Sequence, residues 1–311
     1  MTEDGLAYTD INYQMLLSAP GYGATTIGQL SQGTAHYNRL IAQATYGLAL
    51  ATAASKTYAV QAVAWVQGES NYGGTPQATY TAALNTLITN LNTDIKAVTG
   101  QTKNIPLISY QISTHKVGGS ATPIIALAQL EVAQSNALAT ISTPMYIMDY
   151  QGVDDYHITS VSSRLLGAYM GLAYKRVVID GLAWKPVMPL SSIKSGAIAV
   201  VKFNTPSGRL VFDTSLVALN TNYGFELVDS GGTALTINSV SISGPNSVKI
   251  VAAASIPAGA KLRYAWSGLT ATGVTGPRGN LRDTQGDSIV FDPNGMNRPM
   301  HNWCVIFEIS L

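Results

Sequence analysis

The sequence predicts an α/β domain built on a parallel sheet, followed by an all-β domain of sandwich type. Three observations predict it. Up to about Trp184, short apolar runs alternate with longer stretches whose apolar residues recur at helical spacing. That rhythm implies right-handed crossovers and a parallel sheet with helices on both faces. The apolar runs end in Gly and polar residues, as strands do where such a sheet binds ligands. Beyond Trp184 the texture changes to short alternating runs such as "AIAVVKF", "RLVFD", "YGFELVD", "SVKIVAA" and "WCVIFEIS", separated by Gly, Pro, Asn and Asp. That is the pattern of an antiparallel β domain. The expected division is residues 1–185 and 186–311, with "WKPVMPLSS" read as a linker.

The elements follow in order. "YQMLLSA" (13–19) stops at "PGYG" and reads as a strand entering a loop. Tyr37 to Lys56 is Ala- and Leu-rich, with only Gly47 as a breaker, and reads as a helix. "YAVQAVAWVQG" (58–68) reads as a buried strand. Ala78 to Val98 carries Leu84, Leu87, Ile88, Leu91, Ile95 and Val98 on one helical face, and Gly100 supplies the stop. "IPLISYQI" (105–112) is a strand, Pro123 to Ala139 a helix with Pro in its first turn, and "MYIMDY" (145–150) a strand. Thr159 to Val178 is a helix that Thr159 or Ser160 can cap.

Apolar residues make up 46% of the 311, enough for a large core, while charged residues are only 11%, well below the roughly 25% of ordinary soluble domains. The polar surface is therefore built from Ser, Thr, Asn, Gln and Gly, a texture common on secreted and virion proteins. The net charge is +1 and no basic tract appears, so nothing points to nucleic acid. The single cysteine, Cys304, excludes an intrachain disulfide and a cysteine metal cluster, and its apolar setting reads as that of a buried small hydrophobe. No metal and no organic cofactor are expected. The acidic N-terminus is not a signal peptide, and no apolar stretch reaches membrane-spanning length.

Three stretches could carry chemistry. In "VDDYHITSVSSRLLG", His157 follows Asp154 by three residues just ahead of a helix. A carboxylate on one ring nitrogen fixes the tautomer and leaves the other nitrogen to take a proton from a nucleophile; the plain alternative is a capped helix start with a surface histidine. In "APGYGATTI", Gly21 and Gly23 let the backbone turn and leave amides open to a developing oxyanion; alone, this is as consistent with a simple turn. In "WVQGES", the Gln67 amide can donate to an oxyanion, and Gly68 and Glu69 can hold the loop, Glu69 by accepting from its amides. His36, His115 and His301 are scattered and read as loop or helix-start residues. "YAWSG", "GNLRD" and "HNW" could line a sugar subsite but serve equally as core and turn residues.

Taken jointly and in this order, the stretches resemble the SGNH (GDSL-type) hydrolases, most closely their sialate O-acetylesterase and acetylxylan-esterase branch. Trp65-Val66-Gln67-Gly68-Glu69-Ser70 matches that branch's Trp-x-Gln-Gly-Glu-Ser block, and Asp154, His157 and Thr159 match its Asp-x-x-His-x-Thr block. Gly23-Ala24-Thr25-Thr26-Ile27 is a looser match to a Gly-Gly-Thr-Ser-Ile-like block. The resemblance spans roughly Tyr13 to Val178. It implies a flavodoxin-like three-layer α/β/α fold and a serine esterase that removes acetyl groups from a polysaccharide or glycan. It further implies His157 as general base, Asp154 as its orienting acid, and Gly23 and Gln67 in the oxyanion hole.

One block of the family is missing. Its nucleophilic serine sits on a Gly-Asp-Ser or Gly-Gln-Ser stretch after the first strand, upstream of the second block, and "MTEDGLAYTDIN" contains no serine. Ser18 and Ser31 lack the matching context; Ser70 is a candidate substitute, although in the family it is the neighbour of an oxyanion residue. The nucleophile is thus unassigned, and an upstream Ser-bearing segment or a separate chain is the expected source. Otherwise the remaining strands close up into a reduced sheet without esterase activity. The rival expectation is a non-catalytic glycan-binding or structural module on a decayed esterase fold. Oligomerisation is left open by the sequence.

Overall fold

The computed structural model describes residues 14–151, 156–268, 276–292 and 295–311. Asp154 and Asp155 lie outside the described residues. A three-stranded parallel sheet in the order β1-β2-β3 is formed by Val63–Trp65 (β1), Leu107–Gln111 (β2) and Ala139–Pro144 (β3). The helices are Ala35–Ala53 (α1), Gln77–Thr99 (α2), Ile124–Ser135 (α3) and Ser160–Tyr174 (α4). α1 packs on α2, α2 on α3, and α4 against β2 and β3.

The helix ends obey local chemistry. The Thr34 hydroxyl accepts from Tyr37 N and caps α1, while the Thr159 hydroxyl accepts from Ser162 N and caps α4. Gly100 ends α2 with φ 71°. α2 buries Leu84, Leu87, Ile88, Leu91 and Ile95, the face its spacing predicts.

Four segments depart from the sequence expectation. The ladder in 58–68 is only Val63–Trp65. The strand expected at 145–150 lies instead at Ala139–Pro144, followed by a 3₁₀ turn, Met145–Ile147. Its hydroxyl-rich sequence hid it, because Ser142 is buried by donating to Ser109 O. Pro144, with no N–H to give, ends it. Residues 14–19 form no ladder, and Met15, Leu16 and Leu17 stand exposed, Leu17 by 82%. The expected linker already contains the strand Met188–Ser195.

From Met188 onward, two antiparallel four-stranded sheets follow. One runs Met188–Ser195, Ile198–Asn204, Ser247–Ala252, Ile237–Ile242 in spatial order; the other runs Phe307–Ser310, Lys261–Tyr264, Phe225–Val228, Ala234–Leu235. Phe203 of the first sheet meets Phe225 and Phe307 of the second at ring-centroid distances of 6.4 and 6.0 Å, so the aromatic core lies between the sheets. Cys304 is fully buried and burial pushes its thiol well up, as expected of a small core residue. Buried polar links join the β-rich part to the parallel sheet. Tyr146 OH donates to Cys304 O and Tyr169 OH to His301 O, while Trp184 Nε1, just ahead of the β-rich part, donates to Ile141 O.

Candidate active site

The loops after β1 and β3, with the loop before α1, enclose a cleft of about 820 Å³. Gly23, Gln67, Gly68, Glu69 and His157 all line it. Three stretches far apart in sequence thus meet at one end of the sheet, as strand ends in parallel sheets do. His157 is exposed to the cleft at the end of a small closed loop: Gln151 N donates to His157 O, and Tyr150 bridges to Ile158.

Gln67 is buried and fully engaged. Its Nε2 donates to Thr25 O at 3.0 Å and to Asn71 Oδ1 at 2.6 Å, and its Oε1 accepts from Tyr80 OH at 2.8 Å. Both amide protons are therefore committed inside the protein, and an oxyanion would have to displace one of these acceptors. What Gln67 visibly does is hold the Thr25 loop against β1. Asn71 is the second clasp: its Oδ1 also accepts from Ile27 N, and its Nδ2 donates to Thr75. Gln129 completes the set by donating to Gln67 O and accepting from Ile112 N. Gly68 is required by space, since a Cβ there would lie 2.8 Å from Ile112 Cγ2.

The backbone of the Gly21–Gly23 turn differs from expectation. Neither glycine has positive φ, and a Cβ on either would meet nothing within 4 Å. The left-handed residue is Ala24, at φ 55°. Gly23 still presents its backbone to the cleft.

Glu69 was expected to accept from loop amides; its principal partner is Tyr110, whose hydroxyl lies 2.8 Å from both carboxylate oxygens. Burial holds the Glu69 carboxyl above its ordinary range, against the Tyr110 hydrogen bond and the nearby His157, which favour the charged form. Tyr110, Asn71, Tyr80 and Gln129 escaped the sequence reading. Their only signal was a polar group on an otherwise apolar strand or helix face, which is where buried amides and hydroxyls with partners occur.

Of the serines weighed from sequence, Ser70 lines the cleft; Ser163 on α4 does so too and was missed. Ser163 Oγ donates to Thr159 O. His115 is buried away from the cleft and bonds Trp266 O through Nε2, whereas His36 stands at the cleft rim. In the β-rich part, Trp266, Asn280, Trp303 and His301 are buried, so those stretches serve the core. Among the described residues, no helix is long and apolar enough to cross a membrane.

A three-stranded parallel sheet that gathers an imidazole, a carboxylate and a clasped polar loop in one cleft has the build of an esterase-type α/β protein. Residues 12–176 match the family model of the carbohydrate esterases described as sialic acid-specific acetylesterase, and the chain belongs to that family. No curated protein matches at a significant level. Among solved structures, a carbohydrate acetylesterase from Xanthomonas citri superposes with TM-score 0.57 at 20% identity, over 81% of this chain and 50% of that one. It shares the fold, and this chain spans about half its length. The N-terminal part of the bacterial S-layer protein SbsC gives TM-score 0.23 at 13% identity over 88% of this chain and 55% of that one, too low to bear on the fold.

Proposed function

We propose that the chain is the cleft-bearing part of a carbohydrate O-acetylesterase acting on an acetylated polysaccharide or glycan, with residues 1–185 as its esterase unit and 186–311 as an attached sandwich. The carrying observation is that His157 and Gln67 line one cleft together with Gly23 and Glu69. A serine Oγ would attack the acetyl carbonyl carbon while His157 takes its proton, with Asp154 orienting the ring. The carbonyl π electrons move onto oxygen, held by the Gly23 main chain beside the Gln67 clasp. Collapse expels the sugar oxygen, which receives the proton from His157, and water then releases acetate by the same route.

The serine is proposed to arrive on a strand laid along β1. Among the described residues β1 is an edge, paired only with β2. Beside it runs a groove of about 650 Å³ between residues 14–18 and 57–64, floored by Leu40, Ala44 and Ile95. Pro20 and Leu40 line both groove and cleft, so a strand in the groove would end at the cleft. An edge that no described residue pairs, beside such a groove, is a template for one more strand.

A second reading, a glycan-binding module without catalysis, is favoured by the full commitment of the Gln67 amide protons. Acetate release from O-acetylated glycans, by the chain alone and by the chain supplied with a Ser-bearing strand, in cis or as a separate chain, separates the two. The esterase reading expects release from the form that carries the serine strand. No release from either form, with binding retained, would establish the second reading instead.

A further inference from the structure

Tyr22 is 58% exposed, yet it lines the cleft mouth and its ring is held in place. The His36 ring stacks on it at 4.3 Å between centroids and 24° between planes, and the Arg39 guanidinium carbon lies 5.6 Å from its centroid. Arg39 Nη2 in turn donates to His36 Nδ1 at 3.2 Å, which places the imidazole proton on Nε2. His36 and Arg39 are one turn apart at the start of α1, where the Thr34 cap fixes the helix, so both approach Tyr22 from the same element. The backbone around Tyr22 is pinned as well, because Tyr22 O accepts from Thr25 Oγ1 at 2.8 Å. Arg39 has no carboxylate partner among the described residues, so its remaining donors stay available at the platform's edge.

An aromatic ring braced by its neighbours yet more than half exposed at a cleft is pre-organised to receive a flat apolar surface. The C–H face of a sugar ring is such a surface, and its hydroxyls would meet the Arg39 donors at the edge. Tyr156 and His157 line the same cleft. We propose that Tyr22, backed by His36 and Arg39, is the subsite that stacks the sugar ring whose acetyl group points toward His157. This rests on the reading that the cleft receives an acetylated glycan, and it adds which residue selects and positions the sugar.

The test is binding, which does not depend on the nucleophile. An O-acetylated xylo-oligosaccharide and the methyl glycoside of an O-acetylated sialic acid are each titrated into the chain by NMR and calorimetry. At least one should bind, with its ring protons shifted upfield by a stacked aromatic face. Tyr22→Ala should weaken that binding about tenfold and abolish the upfield shifts. Tyr22→Trp should keep both, and Tyr46→Ala, an exposed change on α1 outside the cleft, should leave both unaltered. If the chain binds and Tyr22→Ala binds equally well with the same shifts, the platform is wrong while the glycan reading stands. If Tyr22→Trp loses as much as Tyr22→Ala, stacking is not the cause and the platform is equally overturned. If neither probe binds, both proposals fall.

Discussion

The Gln111 side chain pairs with the main chain of Ile306 as a neighbouring strand would. Its Oε1 accepts from Ile306 N at 2.7 Å and its Nε2 donates to Ile306 O at 2.9 Å, with a further bond to Ala126 O. One fully buried amide thus fastens the end of β2 to the C-terminal segment, 195 residues away. Gln111→Leu keeps the volume but strands the buried N–H and carbonyl of Ile306. It should cost about 3 kcal/mol in urea unfolding. A loss below about 0.5 kcal/mol would show that the clasp contributes nothing beyond an ordinary surface contact.

His115 makes a second tie, from the loop after β2 to Trp266 O at 2.9 Å. Burial lowers its pKa from 6.5 to about 4, so the fold holds it neutral. Its share of stability is complete above the unfolded value and drains away as pH falls from about 6.5 toward 4, by about 3 kcal/mol in all. Unfolding free energies measured across that window should decline for the unsubstituted chain. His115→Gln, which can still donate to Trp266 O, should flatten the decline.

Glu69 has the opposite sign. Burial raises its carboxyl, so its share of stability is present below the ordinary value of 4.5 and is lost as pH rises through the raised one. Glu69→Gln still accepts from Tyr110 and carries no charge. Its melting temperature should exceed that of the unsubstituted chain at neutral pH and equal it in acid. A lower melting temperature at neutral pH would mean that the charge is needed to hold the loop.

Ala24 carries the left-handed turn that the neighbouring glycines do not. A Cβ in that region costs about 1–2 kcal/mol, and glycine's greater unfolded freedom gives back part of the relief. Ala24→Gly should therefore stabilise by about 0.5 kcal/mol, and Ala24→Val should destabilise by about 1 kcal/mol or more. Chemical denaturation reads both.

The amphipathic helices were legible because one face of each is regular: α2 buries Leu84, Leu87, Ile88, Leu91 and Ile95 of the residues its spacing names, leaves Val98 half-buried, and stops at Gly100. The strands were less so. Val63–Trp65 is shorter than its β-branched run, since a ladder needs a partner strand and, among the described residues, only β2 supplies one. Ala139–Pro144 was hidden by Thr and Ser whose hydroxyls are satisfied by the main chain, which no local pattern announces. The cleft was foreseeable for Gly23, Gln67, Glu69 and His157 because architecture sends strand ends to one place. The clasp of Asn71, Tyr80 and Gln129 was not, because each partner is fixed by contacts between elements rather than by spacing within one.

The central claim is that His157 handles the proton of an ester hydrolysis in the cleft it shares with Gln67. The most direct measurement is acetate release from an O-acetylated glycan by His157→Ala, with the proposed Ser-bearing strand supplied, and glycan affinity followed alongside. The account predicts a fall in turnover of about 10²–10⁴-fold with affinity retained. Turnover equal to that of the unsubstituted protein would contradict it.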